Sequence, residues 1–181
     1  MLVLASQSPR RQEILTRAGI PFLARPAEVD ESRLGDESPE DHVRRLAREK
    51  VDATSARPGD VVVVLVDGEI LGKPADRAEA ERMLWRLSGR EHVVLTGVCL
   101  KAPAGTRMAV ESTVVSFVAL SEEEVHDYVA SGEPMDKAGA YAIQGLASKF
   151  IDRIEGCYFN VVGLPVALVY RMLKELAAVR E

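Results

Sequence analysis

Met1-Leu2-Val3-Leu4-Ala5-Ser6-Gln7-Ser8-Pro9-Arg10-Arg11 opens the chain and runs into Gln12-Glu13-Ile14-Leu15. The apolar start reads as a short strand and the second part as a helix. Pro9 suits the first helical position, because its fixed φ matches the helix and its missing N–H would be unpaired there. Ser8 is then the expected N-cap, with the free N–H groups of the first turn beyond it. The hydroxyls of Ser6 and Ser8, these backbone donors, the helix dipole and the guanidinium groups of Arg10 and Arg11 together describe a place to hold phosphate. A plain helix cap explains the same residues without a ligand. Against it, two arginines in a first turn oppose the dipole unless an anion compensates them, and the end of a first strand is where α/β sheets bind ligands.

Outward from this start, strand and helix signals alternate. Pro21 to Arg25 reads as a short strand. Ser38-Pro39-Glu40-Asp41 starts a helix with Val43, Leu46, Ala47 and Val51 on one face. Val61 to Val66 is a strand leading to an Asp67-Gly68 turn. Asp76 and Glu79 begin a helix carrying Ala80, Met83, Leu84 and Leu87, stopped by Gly89, and Trp85 on it reads as core. His92–Leu100 and Met108–Leu120 are longer strands around a turn at Pro103-Ala104-Gly105-Thr106. Ser121 to Glu124 caps another helix, a loop spans Glu133 to Gly145, Lys149–Arg153 is a strand, and a last helix starts at Pro165. Helices interleaved with hairpins imply a mixed sheet in a single domain spanning residues 1–181.

The chain has 181 residues, 47% hydrophobic and 28% charged, with a net charge of −5. That balance is of an ordinary globular protein, and its sign argues against a nucleic-acid partner. Any polyanion site must be a local basic cluster. Two cysteines, Cys99 and Cys157, make neither a metal spacing nor a disulfide framework, which fits a reducing compartment. No apolar run approaches membrane-spanning length, and the first residues lack the features of a signal peptide. A cytoplasmic protein without a membrane partner is the expectation.

Four further places carry chemistry. Glu28, Asp30 and Glu31 place carboxylates after the second strand, where one or two can bind Mg²⁺ together with substrate phosphates; a solvated acidic loop explains them equally. Lys50 ends the run Arg45, Arg48, Lys50, by default a solvated helix face. Lys73, between Gly72 and Pro74, sits in a restricted backbone that suits close approach to a phosphate. Asp136-Lys137-Ala138-Gly139-Ala140-Tyr141-Ala142-Ile143-Gln144-Gly145 offers an amide, Gln144, with the donor and acceptor needed to read a base edge. His42, His92 and His126 make no ligand spacing, and no Ser/His/Asp or Cys/His order marks a covalent nucleophile.

Leu4 to Arg11, Asp67-Gly68-Glu69-Ile70-Leu71-Gly72-Lys73-Pro74, Leu87-Ser88-Gly89-Arg90 and Asp136 to Gly145 together resemble the Maf family, the septum-formation-inhibitor nucleoside triphosphate pyrophosphatases. The likeness extends to Gly163-Leu164-Pro165. It implies a two-lobed Maf/inosine-triphosphatase-like α/β fold, with a curved mixed sheet flanked by helices and a central cleft. It also implies metal-dependent hydrolysis between the α- and β-phosphates, giving a nucleoside monophosphate and pyrophosphate, with Mg²⁺ or Mn²⁺ as cofactor. Matched by position, Ser6, Ser8, Arg10, Arg11, Lys50 and Lys73 would bind substrate, and Glu31 would hold the metal. Arg10 and Gln144 match the branch acting on dTTP and UTP. A homodimer is the implied assembly.

The resemblance breaks at one place. The family has an Ala-Asp-Thr triplet before its Asp-Gly-Glu turn; the Asp is the general base and the Thr belongs to the specificity set. Here Pro58-Gly59-Asp60 is followed by Val61 to Val66 and directly by Asp67-Gly68-Glu69, so the segment reads as shortened. Three readings follow. The chain is a nucleotide binder with little or no hydrolysis, acting through a cell-division partner; or Asp60, Asp67 or Glu69 takes the vacant role; or the sequence lacks a segment that the protein has. Substitution is the least attractive on geometry, since a general base must reach its water and Asp67 occupies a turn. Asp67 joins Glu31 and Lys73 as a catalytic candidate. A locally rearranged but folded sheet is expected.

Overall fold

The computed structural model describes residues 1–54, 61–67, 71–103 and 105–178, the backbone alone for 61–67, 177 and 178. Among the described residues, six strands form one mixed sheet in the order β2-β1-β3-β4-β5-β6. β1 (Leu2–Leu4) runs parallel to β2 (Phe22–Ala24) on one side and to β3 (Val61–Asp67) on the other. β4 (Glu91–Ala102) is antiparallel to β3, and β5 (Gly105–Phe117) is antiparallel to β6 (Ile151–Glu155). The α-helices of the described residues are α1 (Pro9–Arg17), α2 (Pro39–Ala53), α3 (Arg77–Leu87), α4 (Glu122–Ala130), α5 (Tyr158–Val162) and α6 (Val166–Ala178). No helix among the described residues is long and apolar enough to cross a membrane. The chain divides into two compact units, one of residues 1–68, 95–111 and 163–181, the other of 69–94 and 112–162.

The first unit is organised by α2. Ser38 caps it, its hydroxyl accepting from the Asp41 N–H at 3.1 Å, and Glu40 and Asp41 complement the dipole. The expected face is buried: Val43, Leu46, Ala47 and Val51 meet Val3, Ala5 and Cys99. Each fully buried Val or Leu contributes about 1.5–3 kcal/mol. Outside this face, Arg45 donates to Glu37 at 2.8 Å and to Glu49 at 3.1 Å. The guanidinium beside it holds the Glu37 carboxyl down at about 2.

β3 ends differently from the expected turn. Asp67 is the last strand residue and pairs opposite Thr96, while Val62–Asp67 face Lys101–Thr96 in unbroken register. On its other edge Val61–Val63 pair with Leu2–Leu4. The valine-rich segment therefore forms a strand paired on both sides, as β-branched residues favour. Asp60, Gly68 and Glu69 lie outside the described residues.

In the second unit α3 packs on α4. The Asp76 carboxylate accepts from the Glu79 N–H at 2.7 Å, and Ser121 with Glu124 forms a complete capping box. Trp85 is not core: it is 45% exposed, because Ala80, Met83, Leu84 and Leu87 already fill the buried stripe of α3. The stretch expected as a loop, Glu133 to Gly145, holds two 3₁₀ turns, Glu133–Asp136 and Ala138–Ala140, and a third, Leu146–Phe150, follows it. The last carries buried Ala147 and Phe150, so β6 starts at Ile151, two residues later than expected. The short α5 gave no sequence signal. Its buried Asn160 amide donates to Val94 O and Thr113 Oγ1, each at 3.0 Å.

Candidate active site

In the first unit the opening segment forms the predicted strand–turn–helix. Ser8 occupies the N-cap position, but its hydroxyl makes no capping bond. Ser6 organises the turn instead: its buried Oγ accepts from the Ser8 N–H at 3.2 Å and from Arg11 Nη1 at 3.3 Å. Arg11 Nε donates to Gly163 O at 2.8 Å, tying the turn to the segment before α6. Arg11 is thus partly committed to structure. Arg10 is half-buried, and no carboxylate among the described residues pairs with it. A guanidinium held on a first helical turn without a counter-ion is suited to an anionic ligand.

Lys50 and Glu31 come together in the same unit as an ion pair. The Lys50 side chain is only 13% exposed and Glu31 63%, so Lys50 does not lie on the solvated face that the charge run suggested. Asp30 is engaged locally, accepting from the Ser32 N–H at 2.9 Å, a bond that holds its pKa below the ordinary value. Among the described residues no group of three or more His, Cys, Asp or Glu is placed to hold a metal ion. Glu31 alone still fits Mg²⁺ or Mn²⁺, which take one or two protein carboxylates and complete their shell with water and phosphate oxygens. Carboxylate and ammonium side by side suit a metal-bound nucleotide, one for the cation and the other for a phosphate.

Asp67 belongs to this unit by its backbone, its side chain being outside the description. Leu4 pairs level with Val63, so β3 overruns β1 by residues 64–67. That overrun is about 13 Å long.

In the second unit, exposed Lys73 follows a backbone held by the 137–140 segment. The Gly139 N–H is shared between Leu71 O at 3.0 Å and Gly72 O at 3.1 Å. Gly139 has φ 69°, and Ala140 after it has φ 58° although it carries a Cβ. A left-handed alanine costs of order 1 kcal/mol and persists where its surroundings dictate it. Here they do: Ala140 is fully buried, and Tyr141 beyond it bonds His92 Nε2 at 2.8 Å and stacks edge-on against Phe117 and His92. Burial pushes His92 down to about 4, so it is a neutral packing partner. Lys137 pairs with Asp136. Gln144 is exposed at the far end of the segment.

Residues missed from sequence are those that hold this segment: His92, Tyr128 and Glu133. Their spacing carries no motif, since His92 and Tyr141 lie 49 positions apart and meet only through the fold.

A family model described as Maf-like protein matches residues 1–176. A protein of Symbiobacterium thermophilum called dTTP/UTP pyrophosphatase is 55% identical over 180 residues, covering 96% of this chain and 93% of its own. Proteins of the same name from Koribacter versatilis and a Geobacillus species are each 49% identical, covering 96% and 97% of this chain and 93% and 97% of their own.

Proposed function

The chain belongs to the Maf-like protein family, and on that premise we propose that it hydrolyses dTTP and UTP to the nucleoside monophosphate and pyrophosphate. The observation that carries this reading is the basic first turn of α1, where Arg10 stands without a carboxylate partner among the described residues and Arg11 is fixed by Ser6 and Gly163. The name borne by relatives at about half identity supports the substrate class.

A nucleoside triphosphate brings several negative charges that must be neutralised while the α-phosphorus is held in line with a water. In this reading Arg10 and Arg11 grip the phosphates as forks, Lys50 and Lys73 as point charges, with Ser6 and Ser8 supplying hydroxyls. Glu31 holds the divalent cation, which when bound neutralises phosphate charge and activates water. Gln144 meets the base edge. Asp67, the first carboxylate after the valine run, takes the proton of the attacking water in place of the family's missing Asp. A homodimer in the cytoplasm, without nucleic-acid or membrane partners, completes the reading.

A second reading rests on one feature: Val61 to Val66 offers no acid at all before Asp67. Losing a general base removes roughly 10²–10⁴-fold of rate. In that reading the chain is a nucleotide-binding relative that signals to a cell-division partner. Pyrophosphate release from dTTP, followed with Mg²⁺ and with chelator, separates the two. The enzyme reading requires release that the chelator stops; retained nucleotide with no release in either condition favours the receptor.

A further inference from the structure

Gln144 is exposed, yet the backbone on both sides of it is tied down by two side chains with no place in the mechanism above. The Ala142 N–H donates to Tyr128 Oη at 3.2 Å, and the Leu146 N–H donates to Glu133 Oε2 at 3.1 Å. Tyr128 Oη in turn donates to Glu133 Oε1 at 2.9 Å, closing a bracket around residues 142–146. The bracket is rigid. Tyr128 is 3% exposed on α4, and its ring stands edge-on to buried Phe150 at 5.5 Å. Within it the Gly145 N–H donates to Ala142 O at 3.0 Å. A Cβ at Gly145 would lie 2.3 Å from both Glu133 carboxylate oxygens, so any larger residue there displaces the Glu133 side chain. Burial and the neighbouring Glu133 raise the Tyr128 pKa, so the hydroxyl keeps the proton it donates.

We propose that Tyr128 and Glu133 are positioning residues that fix Gln144 and thereby set which nucleobase the protein accepts. The inference rests on the reading of Gln144 as the base-contacting amide. An amide discriminates base edges only if its donor and acceptor are held within about 0.5 Å of the matching geometry. An exposed side chain has no packing of its own to achieve this, so its backbone must be fixed from beneath. Tyr128 and Glu133 do so without touching the ligand.

The test compares binding of the α,β-methylene analogues of UTP and GTP, which cannot be cleaved, so that it needs no turnover. Tyr128→Phe keeps the ring and removes the hydroxyl; Gly145→Ala pushes the Glu133 carboxylate out; Glu133→Gln keeps an acceptor oxygen for Leu146 and offers Tyr128 Oη an N–H in place of the acceptor it had. The proposal expects Tyr128→Phe and Gly145→Ala to cut the preference for the uracil analogue about tenfold, matching Gln144→Ala. It expects no further loss when either is added to Gln144→Ala, and near-parental preference in Glu133→Gln. Melting temperatures read alongside identify a variant that is unfolded, and the other of Tyr128→Phe and Gly145→Ala then supplies the reading on a folded protein. Unchanged preference in folded Tyr128→Phe and Gly145→Ala, with Gln144→Ala impaired, overturns the bracket and leaves the Gln144 reading intact. Unchanged preference in Gln144→Ala overturns both.

Discussion

Gly97 in β4 lies directly against Val43 in α2: a Cβ at position 97 would stand 2.4 Å from the Val43 carbonyl oxygen and 2.8 Å from its carbon. The helix that carries Lys50 is therefore seated on the sheet at van der Waals contact with a strand backbone. Backbone, unlike a side-chain end, cannot swing away. Gly97→Ala is expected to destabilise the protein by about 1–3 kcal/mol, as overpacking does. Gly72→Ala, where the added atom meets nothing within 4 Å and φ is ordinary, is the control and should fall within about 0.5 kcal/mol of the parent. Urea midpoints of the two variants check this.

His92 predicts a pH dependence. The unfolded chain protonates a histidine near pH 6.5, whereas burial holds folded His92 at about 4. Between these values the unfolded state binds more protons, so stability is complete above pH 6.5 and falls as pH drops towards 4. The loss reaches at most about 3 kcal/mol. Glu37, held at about 2 by Arg45, adds a further loss only below pH 4.5, where its unfolded carboxyl begins to protonate. Urea midpoints from pH 8 to 3 should therefore be level above 6.5 and fall below it. His92→Phe should flatten the upper part of that fall.

Much of the fold was legible in the residues, and the reasons for the exceptions are local. α2 and α3 announced themselves by cap and stripe together, Ser38 with Val43, Leu46 and Val51 being the clearest case, and α4 by its cap alone. α5 and the 3₁₀ turns did not, because elements of five residues or fewer hold too few periods to register, and Asn160 is buried through partners on β4 and β5. Trp85 misled because residue type outweighed its place on the helix. Ser8 misled because it occupies the N-cap position without a side-chain capping bond, while Ser6, two residues earlier, accepts from the Ser8 N–H. At the site, Ser6, Arg11 and the Lys50–Glu31 pair are each linked as neighbours in one unit. The bracket beneath Gln144 is tertiary and had no sequence signal.

Arg10 and Arg11, adjacent in sequence, should behave differently. Arg11→Ala strips the bonds to Ser6 and Gly163 and should cost about 1–3 kcal/mol of stability besides weakening nucleotide binding. Arg10→Ala should leave stability within about 0.5 kcal/mol while raising KM for dTTP at least tenfold. Arg11→Lys should not rescue, since an ammonium cannot span the two acceptors as a fork does. Thermal melts and steady-state kinetics on the three variants separate the roles.

Glu31→Ala removes the one carboxylate assigned to the cation and leaves Lys50 without its partner. Turnover should fall by roughly 10²-fold or more, and raising the Mg²⁺ or Mn²⁺ concentration should not restore it. Glu28→Ala, in the same loop, should retain parental turnover. Metal titrations of activity in both variants decide it.

The most direct measurement is pyrophosphate release from dTTP and UTP with Mg²⁺ or Mn²⁺, on the parent chain, Asp67→Asn and Lys73→Ala. The account predicts release by the parent, loss of at least about 10²-fold in Asp67→Asn with nucleotide still bound, and collapse of turnover in Lys73→Ala. Tight binding of dTTP by a parent chain that releases no pyrophosphate with either cation would contradict it.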